Sequence, residues 1–132
     1  MAWDVAVSKQ ELALLMEAGF VYRDAQKFQE ARDVFQGVRA LVPRSEVPEV
    51  ALGTVDFQEC KFDDAVKHYQ KAVELNPRSA YAYAHWGEVE IYRKDKDAAR
   101  VQLKKALELD PKGEFGKMAR SLTSFADLLR FN

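Results

Sequence analysis

Three prolines stand 34 residues apart, at Pro43, Pro77 and Pro111. Gly19, Gly53 and Gly87 keep the same step, as do Ala31, Ala65 and Ala99 and the large series Phe35, Tyr69 and Leu103. A strict period of this length marks a helical hairpin repeated in tandem. One such hairpin cannot bury its own apolar face. Neighbours must stack, and the stack presents an extended surface to another molecule.

Each unit divides into two helices. The first unit predicts helices over about residues 9–24 and 28–41, the second over 47–59 and 63–75, the third over 80–93 and 96–109. Ser8 followed by Glu11 is a capping box, and Ser45 and Ser79 stand ahead of the first helices of the second and third units. Pro48 is tolerated in a first helical turn. Each second helix runs into one of the periodic prolines, which lacks an N–H and disfavours helix in the residue before it. Gly53, Ala65 and Ala72 let two backbones approach, and Tyr69 fills the wider gap beside them. Residues 114–130 predict one further helix. Its apolar stripe is Phe115, Met118, Ala119, Leu122, Phe125, Ala126 and Leu129, with Leu128 and Phe131 outside it.

The segments 15–43, 50–77 and 83–111 resemble the tetratricopeptide repeat (TPR), and the resemblance covers about residues 12–111. It implies an all-α fold: three tandem TPR hairpins in a right-handed superhelix, closed by a C-terminal capping helix. The domain reading is an N-terminal arm over 1–8, three units within 9–111 (about 12–45, 46–79 and 80–113) and the cap over 114–130. Departures are local. Asp56 and Glu90 stand where the family usually has an aromatic, Tyr22 keeps it, and Trp86 replaces the usual Leu.

In such a superhelix the first helices line the concave side, and family position assigns the groove. Unit one offers Ala13, Met16, Glu17, Phe20 and Arg23. Unit two offers Val47, Val50, Ala51, Thr54 and Phe57. Unit three offers Tyr81, Ala84, His85, Glu88, Ile91 and Tyr92. For Phe57, Ile91 and Tyr92, packing between repeats is an equal alternative. This lining is apolar and aromatic, which marks an interaction site. TPR domains that grip the C-terminal carboxylate of Hsp70 and Hsp90 share a Lys/Asn/Arg clamp. The matching places here hold Met16, Phe20, Ala51, Tyr81 and His85, so contacts to side chains along a peptide are expected instead.

No catalytic constellation is legible. His68, expected to point outward, and His85, expected in the groove, have no nucleophile in pattern with them. No phosphate-binding loop occurs, Asp63 and Asp64 lie at a helix start, and one cysteine, Cys60, makes neither a disulfide nor a thiolate cluster. No metal or cofactor is expected. Residues 1–66 carry 7 Lys/Arg and 12 Asp/Glu, and residues 67–132 carry 13 and 9. The basic stretch from Arg93 to Lys105 is diluted by Asp95 and Asp97, and an isoelectric point near 6.1 argues against nucleic acid. No apolar run approaches a membrane span, and the first residues lack the features of a secretory signal, so a cytoplasmic location is expected.

The expected function is a non-enzymatic adaptor or chaperone that binds a protein or peptide partner. The chain resembles small type III secretion chaperones of TPR type in its size, apolar groove and single closing helix. Translocator chaperones of that group carry a longer helical extension at the front, and needle co-chaperones are shorter. A structural scaffold or self-assembling subunit is the alternative, with a homodimer through the Trp3 arm or the Phe131 end.

Overall fold

The computed structural model describes residues 7–130. The Trp3 arm and Phe131 lie outside them. The described residues form seven helices and no strand: α1 (Lys9–Asp24), α2 (Phe28–Leu41), α3 (Val47–Gln58), α4 (Phe62–Leu75), α5 (Ala80–Tyr92), α6 (Lys96–Leu109) and α7 (Glu114–Leu128). The fold is all-α. Each helix lies within two residues of the span the sequence predicts.

The ends follow from local chemistry. Ser8 Oγ accepts the Glu11 N–H at 3.1 Å and donates to the Glu11 carboxylate at 3.1 Å, which closes the start of α1. Ser79 Oγ caps α5 by accepting the Ala82 N–H at 3.2 Å, and Asp95, which sequence reading passed over, caps α6 through the Ala98 N–H at 3.0 Å. Ser45 sits one residue ahead of the α3 cap residue, Glu46, and accepts from Val47 N–H at 3.2 Å. The helices α2, α4 and α6 each stop two residues before a periodic proline. The three turns inside the hairpins share another feature. Gln26, Cys60 and Lys94 adopt left-handed backbone conformations with φ of 62°, 62° and 64°.

Stacking explains the periodic glycines. A methyl at Gly19, Gly53 or Gly87 would overlap the side chain of Phe35, Tyr69 or Leu103 respectively. The large residue of each second helix therefore seats directly on the backbone of the first. Three apolar clusters result. One joins Met16, Phe35, Val38, Leu52 and Val55; the next Val50, Tyr69, Ala72 and Val89; the last Ala84, Leu103, Ala106, Ala119 and Ala126. Each cluster crosses from one hairpin into the following element, so no hairpin closes its core alone.

A polar seam runs between α2, α3 and α4. Glu49, 1% exposed, receives Arg39 at 3.1 Å, His68 Nδ1 at 2.9 Å and Lys71 at 3.6 Å. Asp56 receives Arg32 at 3.0 Å and lies 3.4 Å from His68 Nε2, and Arg32 also pairs with Glu59. His68 is thus tucked between two carboxylates of α3. This corrects the outward placement expected for it, because the buried charges of Glu49 and Asp56 draw its ring inward. In the third unit Glu90 accepts the Trp86 indole N–H at 3.2 Å and Arg93 at 2.9 Å. At both unusual positions a carboxylate replaces an aromatic, and cations or an indole N–H supply its partners.

Candidate protein-binding groove

The first helices of successive units lie side by side, α1 against α3 and α3 against α5, and the closing helix α7 lies against α5. A cavity of about 450 Å³ opens between α1 and the α5–α7 pair. Its near wall is Met16, Phe20 and Arg23 of α1 with Val47 of α3. Its far wall is Tyr81 and His85 of α5, joined by Glu114, Phe115 and Met118 of α7.

The walls are held by aromatic contacts. Tyr81 stacks on Phe115 at 5.0 Å with planes tilted by 33°, and meets His85 edge-on at 5.1 Å. Phe20 packs on Phe35 at 5.1 Å, which fixes its ring against the first core. The Arg23 guanidinium lies 4.8 Å over the Phe20 ring, pairs with Asp24 at 2.9 Å and donates to Thr54 Oγ1 at 2.9 Å. Arg23 therefore bridges α1 and α3 across the floor. His85 Nδ1 stands 3.3 Å from Glu88 Oε1. Burial pushes the Tyr81 phenol pKa well above its usual value, so the hydroxyl stays neutral at any ordinary pH.

The residues assigned by family position divide into three groups. Met16, Phe20, Val47, Tyr81 and His85 come together around the cavity. Val50, Ala51 and Ala84 have no exposed surface, and Thr54 has 4%. These four are corrected: α3 and α5 are enclosed by α2, α4, α6 and each other, so their inner positions form a closed floor. Phe57 and Tyr92 meet edge-on at 4.9 Å beside Phe62, away from the cavity, while Ile91 is buried in the third cluster. Tyr92 is nonetheless 53% exposed. Glu88 reaches the site only through His85. Sequence reading missed the contribution of α7. Phe115 and Met118 were placed in its apolar stripe, and the stripe supplies one wall of the cavity as well as a lid on the third core.

Among the described residues no three His, Cys, Asp or Glu side chains gather as a metal site, and no helix is long and apolar enough to cross a membrane.

Comparison with known families matches a TPR repeat model to residues 53–90 and a tetratricopeptide repeat model to residues 80–112. A comparison with curated proteins returns no match. Among solved structures, the type III secretion translocator chaperone SycD of Yersinia enterocolitica aligns with a TM-score of 0.78 at 20% identity, over 92% of each chain. The same chaperone in complex with a peptide of the translocator YopD aligns with a TM-score of 0.73 at 21% identity, over 94% of this chain and 98% of that one. The TPR2B domain of yeast Sti1, in a complex with pHsp70, gives a TM-score of 0.78 at 18% identity, over 92% of this chain and all of that one. At these identities the likeness establishes the fold.

Proposed function

The chain belongs to the tetratricopeptide-repeat family, and we propose that it works without catalysis, by holding an apolar segment of another protein in the cavity between α1, α5 and α7. The observation that carries this reading is the pair of opposed walls: Met16 and Phe20 against Tyr81, Phe115 and Met118. Apolar surface facing water across a gap of this kind favours a guest that displaces the water. Rigid aromatics and adaptable methionines together suit an anchoring side chain. The five places that would form a carboxylate clamp hold no lysine, asparagine or arginine, and Arg23 is already engaged by Thr54 and Asp24. Recognition therefore runs through side chains along the segment.

More narrowly, the proposed role is that of an adaptor or chaperone in the cytoplasm that keeps an apolar client, such as a type III secretion translocator, soluble before export. Its support is the likeness to SycD over 92% of each chain, and the structure of that chaperone with a translocator peptide is of the same fold. The test is calorimetric titration with peptides covering the apolar segments of a translocator. Met118→Glu, at a half-buried wall position, lowers affinity at least tenfold, which is about 1.4 kcal/mol. Phe20→Ser does the same, with its added effect on stability recorded by thermal unfolding because Phe20 also touches Phe35. Peptide binding unchanged in both variants places the site elsewhere.

A further inference from the structure

Val47, Tyr81 and Phe115 keep the 34-residue step, each in the first turn of its helix, and all three line the cavity. The residues just before them are Glu46, Ala80 and Glu114. Glu114 itself lines the cavity. Glu46 is half-buried and accepts the Asn76 side-chain N–H at 3.1 Å. Burial is the largest cause of the raised Tyr81 phenol pKa; the charge of Arg23 opposes it, and the charges of Glu114 and Glu46 add to it. Two carboxylates thus act on one phenol, at the end of the cavity where α3, α5 and α7 begin.

Carboxylates at other contacts in the fold are met by cations. Asp24 pairs with Arg23, Glu49 with Arg39 and Lys71, Asp56 with Arg32, and Glu90 with Arg93. Glu46 and Glu114 break the habit. Among the described residues neither forms an ion pair with a lysine or arginine, although Lys117 stands three residues beyond Glu114. Arg23, the lysine or arginine of the lining, is held by Asp24 and Thr54. A carboxylate in a first turn ordinarily answers the partial positive charge of the helix start, about half a unit. At α7 that role is already filled by Asp110, whose Oδ2 accepts the Phe115 N–H at 3.1 Å. The charge of Glu114 is therefore surplus to its own helix, and it faces the cavity.

We propose that the guest of this cavity carries a lysine or arginine beside its apolar anchor, and that the cation pairs with Glu114 and Glu46. The inference rests on the function proposed for the groove and adds the charge of the partner to it. The anchor lies between Met16 and Phe20 on one wall and Tyr81 and Phe115 on the other. A neutral segment fills the walls alone. An acidic flank meets two like charges and is rejected. Glu114 is exposed, and ion pairs open to water are individually weak, so the expected preference for a basic over a neutral flank is about fivefold.

Selection from a phage-displayed library of random peptides of about twelve residues, with the full chain as bait, tests this without a known client. The expected outcome is enrichment of sequences with a lysine or arginine within about four residues of a large apolar side chain. The strongest binder is then synthesised with its basic residue and with glutamine in that place. Both peptides are titrated into the wild type and into a variant carrying Glu46→Gln and Glu114→Gln. Glutamine at position 46 still accepts the Asn76 N–H, and thermal unfolding of the variant records any loss of stability. The basic peptide binds the wild type about fivefold more tightly than its glutamine counterpart at about 50 mM salt, and the gap closes toward 500 mM. The variant binds the two peptides alike. Enriched sequences no richer in lysine and arginine than the library, or equal binding of the two peptides to the wild type, overturns the proposal; the groove itself then stands if Met118→Glu still weakens both peptides. A variant that keeps the full preference places the cation elsewhere and overturns the proposal as well. If no peptide binds, or if Met118→Glu leaves binding unchanged, the function proposed for the groove fails and this inference with it.

Discussion

The ring of His68 on α4 meets the carboxylate of Glu49 on α3, Nδ1 to Oε2, at 2.9 Å. Glu49 is otherwise sealed from solvent. Burial alone drives its pKa up. The hydrogen bonds from His68 and Arg39 outweigh that and hold it at about 2, against an ordinary 4.5.

That depression makes a prediction for acid. A carboxylate whose pKa is lower in the folded state stabilises the fold fully above 4.5, and the contribution is lost as pH falls toward 2. The shift corresponds to about 3 kcal/mol. Urea titrations at pH 6, 4 and 3 should show the wild type losing stability over this window. Glu49→Gln should be less stable at pH 6 by a similar amount, with a visibly flatter response to acid. Equal slopes in the two proteins would show that the pair does not bear on acid stability.

The glycines separate packing from propensity. Alanine is favoured over glycine inside a helix by about 1 kcal/mol. At Gly37 on α2 an added methyl meets nothing, so Gly37→Ala should stabilise by about 0.5–1 kcal/mol. At Gly53 the methyl collides with the Tyr69 ring, and Gly53→Ala should destabilise by about 1–3 kcal/mol despite the better propensity. Chemical denaturation of the two variants side by side measures the difference. Opposite signs are the expected outcome, and a stabilised Gly53→Ala contradicts the close seating of Tyr69.

A third test concerns Trp86. Phenylalanine at this position keeps a ring but removes the N–H that Glu90 accepts, while Arg93 still holds the other oxygen. Trp86→Phe should therefore cost about 1–2 kcal/mol in urea unfolding. In a background carrying Glu90→Gln the same change should cost less, and the shortfall is the coupling between the two side chains. A cost identical in both backgrounds assigns the effect to ring packing alone.

The period made helices, turns and the glycine-on-ring contacts readable, because each depends on residues fixed within one 34-residue unit. Of the residues expected in the groove, Met16, Phe20, Tyr81 and His85 were readable as neighbours, and they line one cavity. The floor was not readable. Helices α3 and α5 are enclosed on nearly every side, so Val50, Thr54 and Ala84 look the same in sequence as residues lining an open trough. A signal was nonetheless there: from Val47 to Phe57 the α3 sequence is apolar apart from Glu49, Thr54 and Asp56, and its apolar residues are not confined to one stripe, as in a helix packed on several sides. The wall from α7 was hidden for another reason. A stripe of residues shows that a helix docks, but not that Phe115 docks on Tyr81 and leaves space beyond it.

The left-handed residues Gln26, Cys60 and Lys94 repeat one bend with three different side chains, none of them glycine. Each holds a mirror-image torsion that an L-amino acid resists by about 1–2 kcal/mol. The chain thus keeps three identical springs under load, all at hairpin tips outside the cavity lining. Slackening them one after another would harden the scaffold in equal steps and leave the space between α1, α5 and α7 as it stands.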